Sequence, residues 1–224
     1  MTFAEAYEKY HLPPHLILHQ LRVAALVYLI THDSVFTPDV ESGDRITAAG
    51  LHDMGAMVKF DLDCFPDLWQ PQGTAYWQSV QSDVVQRYGS DEHLATPRII
   101  SELGVSQRAA YLAGWVGFAK ASQNLHSADP GRQIVAYADS CISPDGYVGL
   151  KTRIHGDRKR HKANHGPKAG SDRKFALRAS ALQLMERQIQ TRAPALRLEH
   201  ITPSLVDLIA QELKDFSINS AHAI

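Results

Sequence analysis

The chain has 224 residues, 44% of them hydrophobic, which is enough for one sizeable domain around a single core and too few to argue for two. A formal net charge of -1 and a pI near 6.9 supply no global attraction to nucleic acid or to an anionic membrane, and so disfavour both as partners. Cys64 and Cys141 are the only cysteines, which excludes a disulfide-dense scaffold and a cysteine-built zinc site and leaves two thiols expected to be reduced.

The N-terminal stretch MTFAEAYEKYHLPPH carries Glu5 and Glu8 and no apolar core, so it lacks the physical requirements of a secretory signal. Pro13 and Pro14 then open HLILHQLRVAALVYLI, apolar nearly all round as expected of a helix inside a bundle. His19, Val23, Leu26 and Ile30 share one of its faces. Its longest unbroken apolar stretch, Val23 to Ile30, is far short of the ~20 residues that cross a bilayer, and a cytoplasmic location is expected. A second helix is predicted from the Ser42-Gly43-Asp44 cap, carrying Ile46, Ala49, Asp53 and Ala56 along one side with His52 adjacent.

Residues 60–73 are rich in Asp, Pro and aromatics and read as an irregular connection that could rim a pocket, with Trp69, Tyr76 and Trp77 available to stack on a base. Helical spacing resumes from Tyr76 to Tyr88, from Thr96 to Leu103 with Gly104 as its stop, and from Ser106 to Ala121. Asp129-Pro130 starts a helix through GRQIVAYADSCIS, closed by the turn Pro144-Asp145-Gly146. From Lys151 to Lys174 basic residues dominate, which predicts a solvated, flexible loop. Ser171 and Thr202-Pro203 cap two further helices. The expected organisation is a helical core over 1–150, a basic loop over 151–174, and C-terminal helices over 175–224 packing on the core. The fold class is all-α.

Within this pattern the chemistry-bearing residues are His19, His52, Asp53 and Asp139. A His-Asp pair alone carries little weight, because 12 histidines and 16 aspartates in 224 residues produce about one by chance. His32-Asp33 is such a pair, and its place at a helix end explains it. His52-Asp53 is read as lying mid-helix among small apolar residues, where an ionised carboxylate costs several kcal/mol unless a cation or a hydrogen-bond network compensates. A purely structural His-Asp hydrogen bond would explain that helix alone. It does not explain His19 and Asp139, which are two further polar residues on apolar helices.

The ordered set, His19 in LHQLRVAAL, His52 and Asp53 in LHDMG, and Asp139 in YADSCISPDGYVGL, resembles the HD-domain superfamily of metal-dependent phosphohydrolases over roughly residues 15–150. The resemblance implies an HD-domain-like helical bundle with additional C-terminal helices, in which these four residues bind a divalent metal ion such as Mn, Mg, Ni, Co, Fe or Zn. It implies hydrolysis of a phosphate ester by a metal-activated water, on a small phosphorylated substrate with nucleotides as one class. His93 and His126 fall between the His-Asp pair and Asp139, as two histidines do in the dinuclear branch, and are candidates for a second metal or for substrate contact. Asp53 could also orient the water, while Lys59 and Arg22 are candidates for phosphate and Asp61 for an acid-base or supporting role.

Some subfamily features are absent. Gly55 is followed by Ala56 where many relatives carry Gly-Lys, an acidic residue is missing three positions after His52, and there is no HD-GYP signature. Two competing readings remain: a di-iron oxygenase of the same superfamily using His93 and His126, and a non-catalytic nucleic-acid or protein-binding domain working through residues 151–174. The basic run has no aromatic before Phe175, so it lacks a platform for stacking single strands.

Overall fold

The computed structural model describes residues 1–32, 41–165 and 169–219. Asp33 of the second His-Asp pair and Lys168 of the basic run lie outside them. The described residues include eleven α-helices, five short 3-10 helices and one two-stranded hairpin, and the fold class is all-α.

The first helix, α1 (Phe3–Lys9), begins at a reciprocal cap in which the Thr2 hydroxyl accepts from the Glu5 amide and the Glu5 carboxylate accepts from the Thr2 amide. α2 (Pro14–His32) is the central element. Leu21, Val23, Ala24, Leu26, Val27 and Ile30 are fully buried, as its all-round apolar sequence demands. It packs on α3 (Ser42–Leu51), on α8 (Pro130–Asp139) and on α11 (Pro203–Glu212), which bury most of its circumference. Each fully buried Leu or Ile there contributes about 1.5–3 kcal/mol.

Between α3 and α8 run α4 (Thr74–Tyr88), α5 (Glu92–Leu103), α6 (Gln107–Ala113) and α7 (Ala121–Leu125). Ser106 and Asp129 cap α6 and α8 through their side chains, as their sequence positions suggested, and Thr202 caps α11. The fifth helix starts earlier than expected. Asp91 accepts from the His93 amide and sets the first turn at Glu92, which leaves Pro97 inside the helix. After α8 the chain forms β1 (Ile142–Ser143) and β2 (Gly146–Tyr147), an antiparallel hairpin around Pro144-Asp145 too short to leave an alternating pattern.

Further expectations are corrected. The helix expected from Ser106 to Ala121 ends at Ala113, and Ser171 lies inside a helix that starts at Ala169 instead of capping it. Residues 151–174 are not an extended loop: α9 (Gly149–His165) and the start of α10 (Ala169–Arg192) cover most of them. Charge density suggested solvation, but straight-chain Lys and Arg are good helix formers, and Leu150 and Ile154 anchor α9 to the core. Trp69 and Trp77 are not free to stack on a base. Both are buried with Met57 and Leu62 in a satellite cluster, where the Trp77 indole donates to the Trp69 carbonyl at 3.1 Å. Tyr76 stays exposed. The two thiols are free, Cys64 at the surface and Cys141 in the core.

The approach of α1 to α3 depends on one glycine. The Tyr7 hydroxyl donates to the Gly50 carbonyl at 2.7 Å, and a Cβ on Gly50 would run into the Phe3 ring. Gly50→Ala gains about 1 kcal/mol of helix propensity but overpacks a buried ring, at about 1–3 kcal/mol. The net expectation is a lowered urea midpoint. A Phe3→Leu background should relieve most of the loss in a double-mutant cycle, and a midpoint that rises in Gly50→Ala alone would contradict the packing.

Candidate metal centre

His19 sits in the middle of α2, one turn before Val23 on the same face. The His-Asp pair is placed differently from its sequence expectation. α3 ends at Leu51, His52 is its C-cap, and Asp53 lies in the turn that follows. The pair is therefore at a helix C-terminus, not mid-helix. Asp139 is the last residue of α8, with Ser140 as its C-cap. Two helix C-termini thus converge on the flank of α2, and their exposed carbonyl ends add partial negative charge that favours a cation.

The four side chains meet. His19 Nε2 lies 3.9 Å from Asp53 Oδ2 and 3.4 Å from Asp139 Oδ1, and His52 Nε2 lies 3.5 Å from each of the same two oxygens. The imidazole rings are 5.4 Å apart, edge to face. Ligand atoms of His19, His52 and Asp53 all fall within 4.8 Å of one another; Asp139 is outside that mutual set but lies 3.4 and 3.5 Å from the two imidazole nitrogens.

The donor chemistry of His52 fits a metal ligand. Its Nδ1 lies 2.7 Å from the Ala49 carbonyl, which can only accept, so Nδ1 carries the proton. That fixes the ring and turns Nε2 toward the acids. Nε2 is buried and faces the Asp53 and Asp139 oxygens at 3.5 Å without an aligned hydrogen bond among the described residues, so a cation between it and the acids would satisfy all three. Burial opposes a charge on this ring, yet the Asp53 and Asp139 carboxylates outweigh it and push its pKa up to about 9. Burial likewise opposes ionisation of Asp139, but the His19 and His52 imidazoles hold its carboxyl well below the usual range. A site that draws protons this strongly draws other cations for the same reason.

Gln20 and Thr96 hold the site and were missed in the sequence. The Gln20 side chain is wholly buried on α2, where its Oε1 accepts from the Asp53 amide at 3.1 Å. Its Nε2 points to Met54 Sδ at 3.9 Å. The Gly55 amide donates to Thr96 Oγ1 at 3.0 Å, and a Cβ on Gly55 would strike the α5 backbone, so the turn carrying the pair is pressed onto α5. A buried Gln beside His19 was the available signal: a polar side chain on an all-apolar helix needs a partner.

The remaining candidates sit elsewhere in ion pairs or at the surface. Lys59 lies beyond the end of α3, at the last position of the 3-10 turn Ala56–Lys59, and its ammonium pairs with Glu92. The Arg22 Nε donates to Asp207 Oδ1 at 2.6 Å, tying α2 to α11. Exposed Asp61 accepts from the Asp63 amide and the Cys64 thiol. His93 has a side chain 77% exposed beside Glu92, and His126 is exposed at the end of α7. Neither histidine joins the cluster among the described residues.

Two outcomes follow for protein stripped with EDTA. His52 has a folded pKa raised above its unfolded value of ~6.5, so its stabilising contribution is complete below pH 6.5 and is lost as pH rises through about 9. An NMR titration of the imidazole Cε1 protons should therefore show one histidine titrating near pH 9, and a normal midpoint for every histidine would refute the arrangement. Gln20→Leu should keep the fold and weaken divalent-metal affinity about 10–100-fold, as loss of a ligand-orienting partner does; calorimetric titration reads it. No protein-family model, curated protein or solved structure matches the chain.

Proposed function

We propose that this protein is a metal-dependent phosphohydrolase of the HD type, cleaving a phosphate ester of a small molecule, with nucleotides as one substrate class. The observation that carries the reading is the convergence of two imidazole nitrogens and two carboxylate oxygens at 3.4–3.9 Å from three separate elements. A mixed nitrogen and oxygen set suits a hard or borderline divalent ion, and His19, His52, Asp53 and Asp139 would hold it. Bound there, the ion would acidify a water and neutralise charge on the phosphoryl oxygens.

The protein's own groups divide the remaining work. His52 is fixed by Ala49 and Asp139 is held between the imidazoles, so these two supply rigidity. Asp53, whose side chain is 35% exposed against 21% for Asp139, is the more open carboxylate and is placed to take a proton from an attacking water. Its backbone stays in register through Gln20. Lys59 and Arg22 are occupied by Glu92 and Asp207, so a phosphate reaching either would have to compete with a carboxylate. The di-iron oxygenase reading requires His93 and His126 in the same cluster, and among the described residues neither joins it.

The test is a panel of nucleotides and other phosphate esters, assayed with Mn, Mg, Ni, Co, Fe and Zn, together with metal analysis of the isolated protein. Asp53→Ala should lose metal retention and at least about 10²-fold in turnover, since losing a ligand exceeds the cost of losing its supporting partner. Circular dichroism should show that the variant keeps its helices. Unchanged turnover in that variant would sink the proposal.

A further inference from the structure

Charge is distributed very unevenly along this nearly neutral chain. Residues 151–178 carry ten Lys and Arg against Asp157 and Asp172, a net +8, which leaves -9 on all the other residues of a chain whose total is -1. Folding concentrates part of that charge on one face of α9. Lys151, His155, Arg158 and Lys162 follow at i, i+4, i+7 and i+11, the spacing that stacks side chains along one edge of a helix. All four are exposed, as is the adjacent Lys159. The inner edge is different: Leu150 and Ile154 enter the core, and His161 packs on the Phe175 ring at 5.2 Å and lies 3.0 Å from the Ser171 hydroxyl of α10.

The one acidic residue of α9 does not neutralise this stripe. Asp157 takes Arg153 at 3.3 Å and also Arg160, both on the other side of the helix. None of Lys151, Arg158, Lys159 and Lys162 pairs with a carboxylate among the described residues. Arg158 and Lys162 are like charges one turn apart, and so are Lys159 and Lys162, which costs an isolated helix a few tenths of a kcal/mol per pair. A polyanion laid along the stripe converts that repulsion into attraction.

We propose that the outer face of α9 binds double-stranded DNA through its phosphates, without reading sequence. The stripe runs about 16 Å at 1.5 Å per residue, the axial length of roughly five phosphates on one strand of a duplex. Lys and Arg dominate it, and both make phosphate contacts, while it holds no Phe, Tyr or Trp. A single strand therefore lacks the large aromatic platforms on which successive bases stack. A membrane surface fits no better, because over residues 149–163 the exposed positions of α9 are Lys151, Thr152, His155, Arg158, Lys159, Arg160, Lys162 and Ala163, with no large apolar side chain among them to enter the acyl region. B-form DNA has a major groove wide enough for a helix edge, unlike the deep, narrow groove of duplex RNA. This inference is independent of the metal centre, since the residues involved are separate.

The test is fluorescence anisotropy of the full chain with a labelled 20-bp DNA duplex of mixed sequence, across a salt series from 50 to 200 mM. The wild type should bind with a micromolar dissociation constant at the low-salt end, independent of sequence and weakening steeply with salt. Lys151→Gln/Arg158→Gln/Lys162→Gln should weaken binding at least about tenfold and reduce the slope of log K against log salt by about 3. A control with three exposed cations neutralised elsewhere, Lys9→Gln/Arg197→Gln/Lys214→Gln, should bind as wild type, and circular dichroism should confirm both folds. The proposal is overturned by absent binding at 50 mM salt, by equal losses in the two triple variants, or by tighter binding to the single strand, to an RNA duplex, or to phosphatidylserine vesicles than to the DNA duplex. Competition by polyglutamate as effective, charge for charge, as unlabelled duplex overturns it as well.

Discussion

The arrangement depends on the burial of α2. A helix enclosed by α3, α8 and α11 has no water available for polar side chains on its enclosed faces, so every such group must find a partner in the protein or pay desolvation of several kcal/mol. Gln20 meets this constraint by accepting from the Asp53 amide, and His19 meets it by facing two carboxylates. The same constraint aligns the site. Because Gln20 reaches the backbone of the His-Asp turn directly, the position of that turn is referred to α2 and not to the loop around it.

Electrostatics then give the cluster its chemical character. Two carboxylates at the ends of two helices create a strongly negative pocket, and two imidazoles are the counterweight to it among the described residues. The upward displacement of the His52 pKa and the downward displacement of the Asp139 pKa are two views of one field. A divalent ion is the natural complement to such a field, because it can satisfy both acids and the His52 nitrogen that faces them together. The two cations close in sequence to the ligands are committed to other acids: Arg22 stitches α2 to α11 through Asp207, and Lys59 stitches the turn after the His-Asp pair to α5 through Glu92.

A second organisation of charge lies on α9, and here composition misled. Dense basic residues read as a solvated loop, yet the same residues are good helix formers once Leu150 and Ile154 hold one edge to the core. Helical geometry turned a diffuse run into a linear stripe. The aromatics of residues 60–77 show the reverse case. Their spacing suggested an available platform, but Trp69 and Trp77 are consumed by a satellite core.

By itself the sequence was sufficient for the helical class, for the starts of α2, α3, α6, α8 and α11, and for the four polar residues of the cluster, because caps, apolar periodicity and oddly placed His and Asp are local signals. It was not sufficient for the end of α3 at Leu51, the support from Gln20 and Thr96, or the capture of Lys59 by Glu92. Those depend on contacts between residues 33 or more positions apart, and no local propensity encodes which distant group will satisfy a buried donor or claim a charge. Tertiary packing decided them, since only packing determines which polar atoms lose water and what stands beside them when they do.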